Sequence, residues 1–160
     1  MAILINKDSK VIVLGITGKS GALQTKAMLD AGTDIVAGVT PGKGGQEVYG
    51  VPVYNFVSEA AAEHEFDTAI CFVPPFAAKD SCYEAIDAGV GLVVLTTEEM
   101  ELNDSVEIIE YAHAHGATLV GPGCAGVLAP EECKVGAHPI RFFKKGHVGV
   151  VSKSGALSYE

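Results

Sequence analysis

The sequence predicts a doubly wound α/β fold with a mostly parallel sheet in a single domain. Short runs rich in Val, Ile and Leu alternate with segments of helical spacing along most of the 160 residues. The runs are apolar throughout, as in parallel strands that are buried on both faces. Hydrophobic residues make up 48% of the chain and glycine occurs 19 times, which suits a packed domain with many tight turns.

The predicted elements alternate in the order expected for right-handed βαβ units, which together form a Rossmann-like sheet. The strands are predicted at Lys10–Leu14, Asp34–Val39, Thr68–Val73, Leu92–Leu95, Thr118–Val120 and His147–Val151. The helices are predicted near Ser20–Ala31, Val57–His64, Ala77–Ala88 and Ser105–His115. Residues 121–146 form the longest stretch without clear periodicity, and irregular segments of that length are often functional.

Charge and composition exclude several classes of partner. The net charge of −9 and the pI near 4.9 argue against a nucleic-acid or anionic-membrane surface. We expect no signal peptide and no membrane span, because no apolar run approaches about 18 residues. The four cysteines form no C-x-x-C pair and no histidine stands at metal-ligand spacing, so we expect reduced thiols and no metal site.

A glycine-rich turn follows the first predicted strand, in the stretch VIVLGITGKSGALQTKAML. Its spacing, G-x-x-G-x-x-G, is close to the dinucleotide fingerprint but does not match it. Such a turn at a helix N-terminus offers free N–H donors and the positive end of the helix dipole to a phosphate. We expect Gly15 to allow the sharp exit from the strand, Gly18 a close approach to phosphate, and Gly21 tight packing. Thr17, Lys19 and Ser20 would add donors; a turn without any ligand is the alternative.

The end of the second predicted strand favours a ligand with an additional phosphate. An NAD site requires an acid at this position to bind the ribose diol, but VAGVTPGKGG has Thr40 and Lys43 there. Asp34 stands at the opposite end of the strand. A lysine selects for a phosphate on the ribose, and both NADP and coenzyme A, with its 3′-phosphate, fit. A solvated loop lysine is the alternative.

Polar and rigid residues follow the later strands. Thr96, Thr97 and Glu98 come directly after a strand, where they can bond ligand amides or simply cap the next segment. Pro74–Pro75 leaves the sheet at the same edge and forms either a ligand wall or a rigid turn. Cys124 in GPGCAG is interpreted as a buried or lining cysteine rather than a nucleophile, because no base is fixed nearby in sequence.

The last fifteen residues, GHVGVVSKSGALSYE, predict a strand, a Ser/Gly turn and the first turn of a helix. Ser154 and Gly155 would open that helix as a second anion site, or Ser154 would be an ordinary N-cap. We therefore expect residues 1–151 to form one domain and residues 152–160 to begin a second. On this interpretation the chain is an excised domain or a piece of a longer protein.

Together these stretches resemble the alpha subunit of succinate–CoA ligase (succinyl-CoA synthetase). The resemblance is carried, in order, by ILINKDSKVIVLGITGKSG, GVTPGKGG, GVPVYNFVSEA, EAIDAG, GPGCAGV, EECKVG and VGVVSKSGALSYE, and covers essentially the whole chain. The combination of VTPGKGG with SKSG-L-YE is highly specific. It implies a CoA-binding Rossmann-like domain.

The resemblance also implies roles for single residues. The CoA phosphates would be held by Thr17, Gly18, Lys19 and Ser20, the nucleotide end by Lys43, and the pantetheine arm by Thr96, Thr97 and Glu98. Tyr159 matches a tyrosine near the succinate site at the beta-subunit contact. The helix opening at Ser154–Gly155 matches one of two helices that stabilise a phosphohistidine, and that histidine lies in a second domain outside this sequence.

The implied activity is an ADP- or GDP-forming acid–CoA ligase that acts through an acyl phosphate and a phosphohistidine. An ATP-grasp type beta subunit would carry Mg-ATP or Mg-GTP. The location would be cytoplasmic, or the mitochondrial matrix if a transit peptide was removed. The family usually has G-P-N-C-P-G where this chain has Gly121–Gly126 as GPGCAG. The alternatives are a ligase for malate or another acid, a stand-alone CoA-binding module, and an NADP oxidoreductase fragment.

Overall fold

A seven-stranded sheet forms the centre of the protein in the computed structural model, which describes residues 3–158. Its order is β3-β4-β2-β1-β5-β6-β7, and all neighbours are parallel except β3, which pairs antiparallel with β4 at the edge. The strands are β1 (Lys10–Leu14), β2 (Asp34–Val39), β3 (Glu47–Val48), β4 (Val51–Tyr54), β5 (Thr68–Cys71), β6 (Leu92–Leu95) and β7 (Thr118–Val120).

Four helices and one hairpin cover the two faces of the sheet. The helices are α1 (Lys19–Leu29), α2 (Val57–Glu63), α3 (Pro75–Asp87) and α4 (Leu102–Ala114), and the hairpin joins β8 (Gly126–Ala129) to β9 (Cys133–Gly136). Two 3₁₀ turns lie at Ile140–Phe142 and Ala156–Ser158. Because side chains alternate along a strand, the central strands β1, β2, β5 and β6 contribute to both cores.

The hydrophobic cores on the two faces of the sheet are packed against different elements. On one face, Ile12 and Leu14 of β1 pack in a core with residues of α2, α3 and α4. On the other, Val11 and Val13 pack with Met28 of α1 and with the β8–β9 hairpin. Helices on one face and a helix with a hairpin on the other make the sheet doubly wound, so the predicted fold class is confirmed.

The strand order reverses direction between β1 and β5. From β1 the chain moves outward through β2 to β4, and it then returns to β5 and moves outward on the other side to β7. Loops from the carboxyl ends of β1 and β5 therefore separate and leave a crevice, which is where open α/β sheets bind ligands. The predicted site residues that follow β1, β2 and β6 stand at this edge.

Most predicted bounds are confirmed. Four predicted strands have the observed limits, while the strand from Thr68 ends at Cys71 rather than Val73. α3 begins at Pro75 and α4 at Leu102, two or three residues before the predicted starts. Pro75 fits the first helical position because that residue needs no N–H partner.

The predicted strand at His147–Val151 is wrong. This segment has no regular structure, and the side chains of Val148, Val150 and Val151 are 88%, 67% and 100% exposed. An apolar, β-branched run forms a strand only where a partner ladder and a core face are available. In the described part of the chain neither is offered to these valines.

Two short hairpins lie outside the predicted elements. β3 and β4 are joined by Tyr49 and Gly50, both with positive φ (53° and 82°), as a two-residue turn of this twist requires. Tyr-Gly is an unusual pair for such a turn, so the sequence signal is weak. The β8–β9 hairpin occupies part of the stretch 121–146, and it is positioned by contacts of β9 with α1 and of β8 with β6.

Candidate functional site

The glycine turn between β1 and α1 is fixed by close backbone contacts. Gly15 has φ +80°, and a Cβ there would lie 2.7 Å from the carbonyl oxygen of Phe72, at the end of β5. A Cβ on Gly21 would lie 2.1 Å from the carbonyl oxygen of Gly15. The predictions that Gly15 allows a sharp exit and that Gly21 allows tight packing are confirmed.

The N-terminus of α1 faces the crevice without a side-chain cap. Gly18 is the N-cap residue, its N–H donates to the Gly15 carbonyl at 3.0 Å, and the first turn of the helix contains no acid. Lys19 and Ser20 follow as exposed residues. Because the first N–H groups of a helix lack intrahelical partners, this end offers donors and positive potential to an anion.

Thr40 joins the glycine turn to the loop that follows β2. Its hydroxyl accepts a hydrogen bond from the N–H of Thr17 at 3.4 Å and donates to the Val39 carbonyl at 2.8 Å. The turn containing Thr17 and the loop containing Lys43 therefore form one continuous rim. Lys43 is exposed, and among residues 3–158 no carboxylate forms an ion pair with it.

The hydroxyl groups after β6 are used internally. The Thr96 hydroxyl donates to the Cys71 carbonyl at 2.6 Å, and the Thr97 hydroxyl donates to the Val73 carbonyl at 2.8 Å. Thr97 is only 8% exposed. Both protons therefore cap the end of β5, and the hydroxyls retain only acceptor capacity for a ligand. Glu98 is exposed and keeps its carboxylate at the crevice.

A cleft of about 470 Å³ lies at the carboxyl edge of the sheet. The structure brings four of the predicted site residues to its wall: Ser20, Thr96, Glu98 and Gly155. Thr17, Gly18, Lys19 and Lys43 do not line it but belong to the adjoining rim. A smaller space of about 240 Å³ lies beside the β3–β4 hairpin, away from the crevice between β1 and β5.

Comparison with known proteins identifies the family. The CoA binding domain family matches residues 6–99, more than half of the chain. The chain belongs to the CoA binding domain family. Over its whole length it is similar to alpha subunits of ADP-forming succinate–CoA ligases. It is 52% identical over 161 residues to that of Staphylococcus epidermidis and 51% identical over 160 residues to subunit alpha 1 of Archaeoglobus fulgidus.

This CoA binding domain chain spans about half the length of the curated relatives it matches: 53% and 55% for these two. Among solved structures it is similar to the ATP citrate lyase of Methanothrix soehngenii in complex with citrate and coenzyme A. The TM-score is 0.74 with 21% identity, over 84% of this chain and 24% of the other. At that identity the likeness concerns the fold alone, and it agrees with the sheet described above.

Cys124 of this CoA binding domain is half-buried and lines the cleft, whereas the other three cysteines are buried. The Sγ of Cys124 lies 3.4 Å from the carbonyl oxygen of Leu95 and 3.3 Å from that of Val120, either of which can accept the single S–H proton, and burial raises the pKa of the thiol. A raised pKa disfavours the thiolate that nucleophilic attack requires. The interpretation of Cys124 as a lining residue is therefore favoured by the structure. All four cysteines of the chain are free.

A 3₁₀ turn at Ala156–Ser158 lies where the sequence predicts the first turn of a helix. Ser154 caps it, because its hydroxyl oxygen accepts from the N–H of Leu157 at 3.3 Å. Ser154 therefore makes the hydrogen bond of an N-cap residue. Tyr159 lies outside the described residues.

Several residues of the site were not predicted from the sequence. Gln24, one turn after Ser20 on α1, lines the cleft together with Phe72 and Ala137. Ala137 is held there by the hairpin, since its N–H donates to the Ala125 carbonyl at 2.8 Å. Helical spacing from Ser20 could have indicated Gln24. Nothing in the sequence indicated Ala137, because only the tertiary fold returns the β8–β9 hairpin that precedes it to the first helix.

No three His, Cys, Asp or Glu side chains within residues 3–158 lie close enough together to hold a metal ion. None of the helices in that range has the length and apolar composition needed to cross a membrane.

Proposed function

We propose that this chain is the CoA-binding part of an acid–CoA ligase of the succinate–CoA ligase type, in the position of the alpha subunit. The observation that carries the proposal is the site at the switch point of a CoA binding domain. There, the uncapped, acid-free N-terminus of α1 lies beside the loop of Lys43. The relatives named above, similar over the whole chain, supply the reaction class.

The phosphates of CoA are assigned to the rim. Backbone N–H groups of residues 17–20 and the Lys19 and Ser20 side chains would hold the diphosphate. Lys43, exposed and without a described carboxylate partner, would bind the 3′-phosphate of the ribose. In a chain of net charge −9, this rim provides the local positive potential that a highly charged ligand requires.

The pantetheine arm is assigned to the 470 Å³ cleft. Its amide N–H groups would donate to the carboxylate of Glu98 and to the free acceptor side of the Thr96 hydroxyl. Thr97 would act indirectly, because its buried hydroxyl holds the end of β5. The contribution of this domain is therefore positional: it orients CoA so that its thiol is presented to the acyl group.

The complete ligase would make succinyl-CoA, the nucleoside diphosphate and phosphate from succinate, CoA and ATP or GTP. We place the Mg-nucleotide on a beta subunit of the ATP-grasp type and the phosphohistidine in a second domain. Tyr159 and the Ser154–Gly155 segment would face succinate and that histidine. We expect the enzyme in the cytoplasm. Because Gly123 and Ala125 depart from the usual family motif, a ligase for malate or another acid is the alternative.

Isothermal titration calorimetry with CoA, dephospho-CoA and NADP tests the assignment of the rim. Lys43→Ala should weaken CoA binding by about 1–2 kcal/mol, roughly 5- to 30-fold, because one charge-assisted hydrogen bond is lost. Dephospho-CoA binding should not change. Lys7→Ala is the matched control, since Lys7 is an exposed lysine before β1, at the opposite edge of the sheet.

Two outcomes would contradict the proposal. Binding of NADP without binding of CoA would exclude the CoA site. Equal affinity of the unmodified chain for CoA and dephospho-CoA would exclude the role given to Lys43. For the choice of acid, the assembled ligase should be assayed for thioester formation with succinate and malate side by side.

A further inference from the structure

One side chain organises the loop that carries Lys43. Asn55 follows β4, and its Oδ1 accepts hydrogen bonds from the N–H of Gly42 at 2.9 Å and of Gly44 at 3.1 Å. These two donors stand immediately on either side of Lys43 in the sequence. A single amide oxygen therefore fixes the backbone on both flanks of the lysine.

The amide of Asn55 is itself held against the loop. A Cβ on Gly44 would lie 2.4 Å from Nδ2 of Asn55, so the side chain occupies the space that only glycine leaves open. The backbone N–H of Asn55 donates to the Glu59 carboxylate at 2.9 Å, in the first turn of α2. Asn55 is half-buried in this position.

Backbone hydrogen bonds complete the anchoring at both ends of the loop. The N–H of Thr40 donates to the Tyr54 carbonyl at 2.9 Å, and the N–H of Gly45 donates to the Val53 carbonyl at 2.9 Å. Between these anchors lies Pro41–Gly44, and within it only the N–H of Lys43 bonds within the loop, to the Thr40 carbonyl at 3.0 Å. The Lys43 carbonyl accepts from the N–H of Gln46 at 3.3 Å, and the two bonds to Asn55 hold the N–H groups of the residues on either side of the lysine.

The restraint matters because the segment is rich in glycine. Glycine loses more conformational freedom on ordering than any other residue. A ligand that had to order the loop itself would bind more weakly by that cost, whereas a preorganised loop avoids it. Lys43 is exposed, so its reach depends on where the backbone places its Cα.

We propose that Asn55 is a positioning residue that sets the preference for the 3′-phosphate of CoA by holding Lys43 at the rim. The inference rests on the proposed binding of that phosphate by Lys43. Asn55 itself is not assigned any contact with CoA. Its removal should therefore change the discrimination between CoA and dephospho-CoA rather than the binding of both.

The first test is Asn55→Ala, with dissociation constants for CoA and dephospho-CoA measured by calorimetry. CoA should bind about 3- to 10-fold more weakly, from the loss of restraint equivalent to one or two neutral hydrogen bonds. Dephospho-CoA should be unchanged. Asn6→Ala is the matched control: Asn6 Oδ1 accepts from the N–H of Asp8 at 2.7 Å, before β1 at the opposite edge of the sheet.

The double variant Lys43→Ala/Asn55→Ala separates positioning from general damage. The measured quantity is the affinity ratio, which is the association constant for CoA divided by that for dephospho-CoA. If Asn55 acts through Lys43, the double variant should have the same affinity ratio as Lys43→Ala alone. Amide hydrogen exchange gives a direct readout of the loop. Asn55→Ala should lose protection at Gly42 and Gly44, and Asn55→Asp, which keeps the acceptor oxygen, should retain it.

Gly44→Ala provides a second route that leaves Asn55 in the sequence. Its methyl group would displace the Asn55 amide from the loop, and the same fall in the ratio is expected. Gly91→Ala is the control, because its methyl group would make only an ordinary contact, 3.9 Å from the Asp67 carbonyl oxygen. This variant keeps the proposal testable if Asn55→Ala does not fold.

The outcomes distinguish the two proposals. If Lys43→Ala leaves the ratio unchanged, the proposed binding of the 3′-phosphate is wrong. The positioning role of Asn55 is overturned if Lys43→Ala lowers the affinity ratio while Asn55→Ala and Gly44→Ala leave it unchanged. An equal loss of affinity for CoA and dephospho-CoA in the last two variants leaves the ratio unchanged and has the same consequence.

Discussion

The contact between Gly21 and Gly15 can be tested by the smallest possible side chain. In Gly21→Ala the new methyl carbon would lie 2.1 Å from the Gly15 carbonyl oxygen, whereas ordinary contacts begin near 3.4 Å. The obstructing atom belongs to the backbone, so no side chain can rotate away. Either the helix or the turn must move by about 1.3 Å, the difference between these two distances.

The cost follows from what this movement disturbs. Overpacking of a close contact costs about 1–3 kcal/mol. The Gly15 carbonyl also accepts from the N–H of Gly18 at 3.0 Å, and loss of that bond adds about 1 kcal/mol. Alanine in place of glycine favours the helix by about 1 kcal/mol. We therefore expect Gly21→Ala to lower the free energy of unfolding by about 1–3 kcal/mol.

Urea unfolding followed by circular dichroism measures this difference. Gly91→Ala is the matched control, because its methyl group would lie 3.9 Å from the nearest atom, the Asp67 carbonyl oxygen. The control should change the free energy of unfolding by less than about 0.5 kcal/mol. CoA affinity should fall only in Gly21→Ala, where the turn moves. Equal stability of the two variants would refute the view that this close approach fixes the turn.

Two further predictions concern the β8–β9 hairpin and His138, which follows it in the chain. Thr33→Val should lower the free energy of unfolding by about 1–3 kcal/mol, because the Thr33 hydroxyl donates to the Lys134 carbonyl at 2.7 Å and accepts from the Lys134 N–H at 3.0 Å in a buried site. Thr33→Ser should restore most of it, and an unchanged urea midpoint in Thr33→Val would contradict the link. Burial, and to a smaller extent the charge of Lys134, lowers the pKa of His138 below its usual value of 6.5. The folded state therefore favours the neutral imidazole, so the stability that depends on it is complete above pH 6.5 and is lost as the pH falls towards the folded-state pKa. His138→Gln should therefore lose less stability than the parent between pH 7 and pH 5, and an identical loss would exclude this coupling.

The first strand and its turn show how far local chemistry reaches. The apolar run Lys10–Leu14 predicted a buried parallel strand, and the glycines at 15 and 21 predicted a sharp exit and a packed helix. These features depend on residues adjacent in sequence, and they are confirmed by the bounds of β1 and by the contacts of both glycines. The position of Lys43 in the loop after β2 was likewise predicted from the sequence and is confirmed by the observed end of that strand at Val39.

The structural features that the sequence predicted wrongly or left open have a common physical reason. The valines of His147–Val151 have the composition of a strand, but a strand forms only with a partner. The sequence left open whether the hydroxyls of Thr96 and Thr97 bond a ligand or cap a neighbouring segment, and in the fold both protons are donated to carbonyls of the β5 segment. In each case the missing information was the identity of a neighbour distant in sequence.

The sequence by itself determined the fold class, the edge of the sheet that carries the site and the charges available there. It did so because burial pattern, glycine geometry and the direction of parallel strands are local properties. Only the tertiary structure decided which hydroxyls remain available, that Ala125 and Ala137 beside the hairpin line the cleft, and that Asn55 bonds the backbone on both sides of Lys43. Those features arise from pairings between distant segments, and a pairing exists only once the chain has folded.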